Sequence, residues 1–228
     1  MKIAVSYLSS NDYKTSIKKI ENSKADFVHC DICDGTYVKT NNFNKEDFLN
    51  LFNRVNKKLN VHLMVEYPKR YVDMLKGLNI DEIIIHNVKD TKDIIEYIKS
   101  LNIKVGIAIN PDDNVMDYIK YFPLVDEILV LSVNPGKGGQ PFLRKVIPTI
   151  DYLYSVKDIY KFNIAIDGGI NDETIKLVKD KVDLVISGSF ITNSDNYNNQ
   201  IDKLLMLLSS LLKFILFIME EIYLELMD

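Results

Sequence analysis

The chain has 228 residues, 47% hydrophobic and 26% charged, with only nine Gly and six Pro, which excludes disordered and collagen-like chains and suits one globular domain burying roughly 70% of its unfolded surface. Twenty-eight basic against 32 acidic residues give a formal charge of -4, so no basic face is offered to nucleic acid. Two cysteines, Cys30 and Cys33, cannot make a disulfide framework and fit a reducing cytoplasm. Met1-Lys2-Ile3-Ala4-Val5-Ser6 opens without a secretory pattern, so the mature chain is expected to start there.

The predicted elements, in order, are short β-branched runs separated by helix-like stretches. The runs are 3–8 (IAVSYL), 26–31 (DFVHCD), 61–65 (VHLMV), 82–86 (EIIIH), 104–109 (KVGIAI), 127–133 (EILVLSV), 163–167 (NIAID) and 184–188 (LVISG). Charged stretches with helical period lie between them, such as Thr91 to Leu101, opened by a Thr91 cap, and Asp172 to Lys179. Strands apolar on both faces and joined by crossover helices belong in a parallel sheet. Eight of them in about 200 residues point to an α/β (β/α)8 TIM barrel over 1–199, since the first turn, Ser9-Ser10-Asn11-Asp12, lacks the glycines of a dinucleotide-binding fold. After the Asn-rich hinge at 193–199, the segment 200–228 reads as an extended apolar C-terminal helix of the same domain. Its run at 204–219 carries one lysine and falls short of the ~20 residues that span a bilayer. Membrane contact is disfavoured, and a cover over the barrel with a homo-oligomer contact is expected.

A barrel of this kind does its chemistry at the C-terminal strand ends, and polar residues collect there. His29 and Asp31 fall on one side of their strand by alternation, with Cys30 on the other. His62 lies on the next strand with Met64 on its own face, and Asp167 ends a later apolar strand before Gly168-Gly169. Two His and two Asp form a nitrogen and oxygen set suited to one divalent Zn, Fe, Mn or Co ion. Two buried carboxylates need a cation, a donor network or water, and a shared metal answers that need economically. His86 has no carboxylate beside it and reads as a spectator. Cys30 and Cys33 read as packing residues, since a redox pair would open a helix.

The second feature is Asn134-Pro135-Gly136-Lys137-Gly138-Gly139-Gln140, a loop able to present backbone N–H groups to an anion. Gly168-Gly169 and Ser187-Gly188-Ser189 follow in the region where many barrels hold a phosphate. No Walker pattern occurs, which disfavours a nucleotide triphosphatase.

In combination these segments resemble ribulose-phosphate 3-epimerases over about residues 1–192. The family's His-x-Asp-x-Met-Asp-Gly is similar to His29–Gly35, its His-Leu-Met-Val to His62–Val65, its Asn-Pro-Gly-x-Gly-Gly-Gln to Asn134–Gln140 and its Val-Asp-Gly-Gly-Ile to Ile166–Ile170; Gly106–Pro111, Ser6 and Leu8 also fit. The resemblance implies that His29, Asp31, His62 and Asp167 bind one divalent metal and that Asp31 and Asp167 are acid and base. It further implies that Ser6 and His62 contact the sugar, with Gly136, Gly138, Gly139, Gly168, Gly169, Gly188 and Ser189 around the phosphate. The implied reaction interconverts D-ribulose 5-phosphate and D-xylulose 5-phosphate through an enediolate. Alternatives are a six-carbon ketose phosphate such as D-allulose 6-phosphate, or a non-catalytic phosphosugar-binding barrel. Cys33 stands for the family's usual methionine, Leu131 for another, Lys137 for a common phenylalanine and Phe190 for a small residue, and the proline usual after the valine is missing at Lys39. None of these removes a proposed ligand.

Overall fold

In a computed structural model of the chain, which describes residues 1–205, eight parallel strands close into a barrel in sequence order. They are β1 (Lys2–Ser6), β2 (Phe27–Cys33), β3 (Leu59–Met64), β4 (Ile80–His86), β5 (Lys104–Ile109), β6 (Glu127–Leu131), β7 (Asn163–Asp167) and β8 (Leu184–Ser187), with β1 paired to β8. Every predicted strand is present. The first and sixth stop two residues short of prediction, which leaves Leu8, Ser132 and Val133 in the loops above the barrel.

Strand alternation sorts the side chains into two apolar shells. Ile83 and Ile85 join the larger cluster that meets the helices, whereas Ile84, between them, joins Ala4, Ala108, Leu129, Leu131, Ala165 and Ile186 inside the barrel. The inner shell includes several small residues. Ala4, Ala108, Ala165 and Gly106 leave room near the axis for three imidazoles and several carboxyls.

The α-helices are α1 (Tyr13–Glu21), α2 (Lys45–Phe52), α3 (Pro68–Leu75), α4 (Thr91–Ser100), α5 (Ile147–Tyr160) and α6 (Ser189–Thr192). Asp12 caps α1 by accepting from Thr15 N, and Asn44 caps α2 by accepting from Glu46 N and Asp47 N. Two expectations for the outer layer need correction. Thr91 is not the cap of α4: Asp90 holds that position in the left-handed region, and the Thr91 hydroxyl instead accepts from Val88 N and donates to Val88 O. The stretch 172–179 forms only a 3-10 turn, Thr174–Leu177. The β-branched Thr174 spends its hydroxyl on Asn171 N and Gly169 O, and its apolar partners Ile175 and Val178, three apart, meet the core at the 3-10 period.

Residues 197–205 are helical, with Tyr197, Ile201 and Leu204 buried against the barrel. The rest of the predicted apolar helix, 206–228, lies outside the described residues. Among the described residues no helix is long and apolar enough to cross a membrane.

Candidate active site

The polar centre grows out of strand register. β2 directs Phe27, His29, Asp31 and Cys33 inward by alternation. Asp31 is level with His62 of β3, His29 is level with Asn60 of β3 and Ser6 of β1, and Asp167 of β7 is level with Leu131 and Ile186. Closure of the sheet then brings His29, Asp31, His62 and Asp167 together, each with a ligand atom within 4.8 Å of the others. His29, Asp31 and His62 are buried and Asp167 is partly exposed.

Asp31 is the hub. Its Oδ1 lies 3.2 Å from His29 Nε2 and 3.2 Å from His62 Nδ1, and its Oδ2 accepts from the Ser6 hydroxyl at 2.9 Å. On its far side, the His29 ring donates Nδ1–H to Asn60 Oδ1 at 2.6 Å, and Asn60 Nδ2 donates in turn to Glu82 Oε2 at 2.9 Å. That bond fixes the His29 tautomer so that neutral His29 turns its Nε2 lone pair toward the cluster.

The two acids are driven apart in acidity. Burial alone would raise Asp31, but the charges and hydrogen bonds of His29 and His62 outweigh it and hold the carboxyl well below the usual carboxylate range. Asp167 is pushed up to about 7 by burial and by the Asp31 charge. Burial opposes protonation of His29, yet the adjacent Asp31 carboxylate lifts it to about 9; His62 is lowered, chiefly by burial. One ionised and one protonable carboxyl thus share a cleft, a pairing that suits an acid and a base. The donor chemistry also fits a divalent ion: two imidazole nitrogens and two carboxylates converge, with an outer hydrogen bond orienting one ring.

The cleft above these groups has about 570 Å3 counting space open to solvent, within the range of small-molecule sites. Its wall includes Ser6, His62 and both acids, together with Gly136, Gly138, Gly139, Gly168, Gly169, Gly188 and Ser189. Every residue assigned to sugar or phosphate from the sequence therefore borders one cavity, whereas His29 stays beneath it, fully buried. Lys137 is the sole lysine or arginine along that wall among the described residues. Gln140 Nε2 donates to the carbonyls of Asn134 and Lys137, and Thr40 Oγ1 to that of Gly136, so side chains pin the glycine loop. Glycine is required at Gly169, which has φ 62°; an added Cβ would come within 2.4 Å of Phe142 N.

Ser132, just past β6, donates its hydroxyl to the carbonyls of Asp167 and Gly168 at 2.9 and 2.6 Å, and its amide also donates to Asp167 O. Ser132→Ala is expected to lower stability by about 1 kcal/mol, the cost of taking a hydroxyl donor from part-buried carbonyls, of which Asp167 O keeps the Ser132 amide. A urea midpoint unchanged by the substitution would show that these bonds do not hold the β7 end in place.

Sequence reading missed three contributors. Asn60 and Glu82 back His29 from below, and His86 is no isolated spectator: its Nε2 lies 2.9 Å from His62 Nε2. Register held the signal for His86, since His62 is level with Ile84, two residues below it on β4. Both cysteines are free and buried. Burial, followed by the Asp31 charge, raises both thiols, Cys33 to about 12, which agrees with packing and not redox chemistry.

Comparison with known proteins gives a consistent picture. The model of the ribulose-phosphate 3 epimerase family matches residues 2–192. A ribulose-phosphate 3-epimerase of Helicobacter pylori (strain J99 / ATCC 700824) is 39% identical over 204 residues, covering 85% of this chain and 92% of the relative. That of Bacillus subtilis (strain 168) is 29% identical over 212 residues, covering 90% and 98%. Among solved structures, Mycobacterium tuberculosis tryptophan synthase superposes with a TM-score of 0.65 at 10% identity over 89% of this chain and 91% of that one. Thiamine phosphate pyrophosphorylase from Pyrococcus furiosus does so with 0.59 at 15% over 92% and 96%. These two likenesses bear on the fold alone.

Proposed function

Since the chain belongs to the ribulose-phosphate 3-epimerase family, whose named relatives are isomerases acting on carbohydrates, we propose that it interconverts D-ribulose 5-phosphate and D-xylulose 5-phosphate by proton transfer at C3 between Asp31 and Asp167. The observation that supports this most directly is the pair itself: two carboxyls in one cleft, one held ionised and the other pushed up to about 7.

Asp31, held as the anion by His29, His62 and Ser6, accepts the C3 proton from one face. Asp167, protonated near neutrality, delivers a proton from the other, which inverts the carbon; in the reverse direction the roles exchange. His29, Asp31, His62 and Asp167 would hold one divalent ion, whose charge when bound stabilises the enediolate oxygens. Ser6 and His62 orient the sugar. The glycines of the 136–139 loop, with Gly168, Gly169, Gly188 and Ser189, receive the phosphate away from C3, so that its binding contributes orientation. A soluble cytoplasmic homo-oligomer accompanies this reading.

The test is proton exchange in heavy water with ribulose 5-phosphate as substrate. Deuterium at C3, lost after chelation and regained on adding a divalent ion, is the expected result. Absence of exchange on any five- or six-carbon ketose phosphate would refute the assignment, and full activity in a metal-free preparation would refute the metal. Relative rates on D-ribulose 5-phosphate and D-allulose 6-phosphate fix the chain length.

A further inference from the structure

His86 is fully buried at the end of β4, its ring 4.5 Å from that of Tyr37 and 5.0 Å from that of His62. Its Nε2 lies 2.9 Å from His62 Nε2, and its Nδ1, also buried, meets no hydrogen-bond partner among the described residues. Two ring nitrogens that close must share one proton, so each ring dictates the tautomer of the other. When the shared proton belongs to His86, His62 carries its own on Nδ1, directed at Asp31 Oδ1 3.2 Å away, and has no lone pair for a cation. When it belongs to His62, the Nδ1 lone pair of His62 faces the cluster, and His86 must carry its proton on the unpartnered Nδ1.

We propose that His86 is a positioning residue for His62: by accepting the His62 Nε2 proton, it turns the Nδ1 lone pair of His62 toward the metal site formed with His29, Asp31 and Asp167. The role parallels that of Asn60 beneath His29. It accounts for the close approach of the two Nε2 atoms, which the proton on His62 Nε2 bridges. Loading the site then moves protons within the pair without changing their number. A pair that starts as His62 Nδ1–H and His86 Nε2–H would end as His62 Nε2–H and His86 Nδ1–H. Tyr37, tilted against His86 and receiving a hydrogen bond from Asn110 Nδ2 at 3.2 Å, holds the His86 ring in place from the loop side.

This inference rests on the metal site proposed above, and the experiment separates the two. Zinc affinity of the full-length chain is measured by competition with a chromophoric chelator for wild type, His86→Phe and His86→Gln. Phe keeps a ring against Tyr37 but cannot accept; Gln places an amide oxygen where Nε2 lay. His86→Phe is expected to bind zinc 10–100-fold more weakly, the usual effect of losing an outer-shell partner, and His86→Gln to recover most of the loss. Wild type that binds no zinc would overturn the metal site and this inference with it. Equal affinity of wild type and His86→Phe, or a His86→Gln no better than Phe, would overturn His86 alone. Long-range proton–nitrogen spectra of the zinc-loaded wild type give an answer independent of how the variants fold. They should show His86 protonated at Nδ1, and protonation at Nε2 would overturn the proposal.

Discussion

Asp167→Asn is expected to lower kcat by roughly 10²–10⁴-fold, the contribution of a positioned general acid or base. Asn keeps the shape of the protonated carboxyl and can still donate a hydrogen bond, but it cannot give up or take a proton. Burial and the Asp31 charge push Asp167 to about 7, so about half of the wild-type side chains are neutral at that pH and most are below it, where the exchange perturbs resting electrostatics little. Asp31 keeps its supports from His29, His62 and Ser6. A lone base can still exchange C3 with solvent from its own face. The variant should therefore incorporate deuterium into one epimer faster than it forms the other, whereas wild type couples the two processes. Metal content measured alongside separates a lost proton carrier from a lost ligand. Inversion at the wild-type rate, with metal bound, would remove Asp167 from the chemistry.

Much of this site was legible because strand alternation and strand ends are readable without coordinates. His29 and Asp31 two apart, His62 within an apolar strand and Asp167 before two glycines each declare an inward or end position in a parallel barrel. What could not be read is stagger. Asn60 meets His29 and His86 meets His62 because the strands of a closed barrel are offset by register, which loop lengths and helix packing settle together. Local turns were opaque for a different reason. A threonine before a periodic run looks like a cap until its hydroxyl is seen to serve Val88, and a charged 3.6-like run at 172–179 forms a 3-10 turn once Thr174 is committed to Gly169. Glu82 and Glu127 were indistinguishable in sequence from the charges that often open a strand.

Those two acids make the other prediction with a large effect. Both are inward at the lower end of the barrel and nearly inaccessible, at 5% and 4% exposure. Gly106 of β5 separates them: it is level with Glu127 and with Ile84, two residues above Glu82, and lacks a side chain to keep the carboxyls apart. Each carboxyl perturbs the acidity of the other. Burial lifts Glu82 to about 7 and Glu127 further still, the latter helped by the charge of Glu82. A carboxyl whose folded value exceeds its unfolded one makes the native state bind more protons, so its stabilising contribution is complete below about 4.5 and is lost as pH rises through about 7. For Glu82 the loss is on the order of 3 kcal/mol at about 1.36 kcal/mol per unit. Glu82→Gln removes the titration, keeps an oxygen for Asn60 Nδ2 and adds an N–H for Glu127, whose Oε1 has no partner. Denaturant titrations in chelator from pH 5 to 8 should therefore show the variant gaining on wild type by at least an amount of that order across the window, because His29, Asp31 and Asp167 titrate in both proteins while Glu127, relieved of the Glu82 charge, is pushed up less in the variant. Parallel stability curves would mean that the pair is ionised at no cost, and that the polar column beneath His29 is hydrated rather than dry.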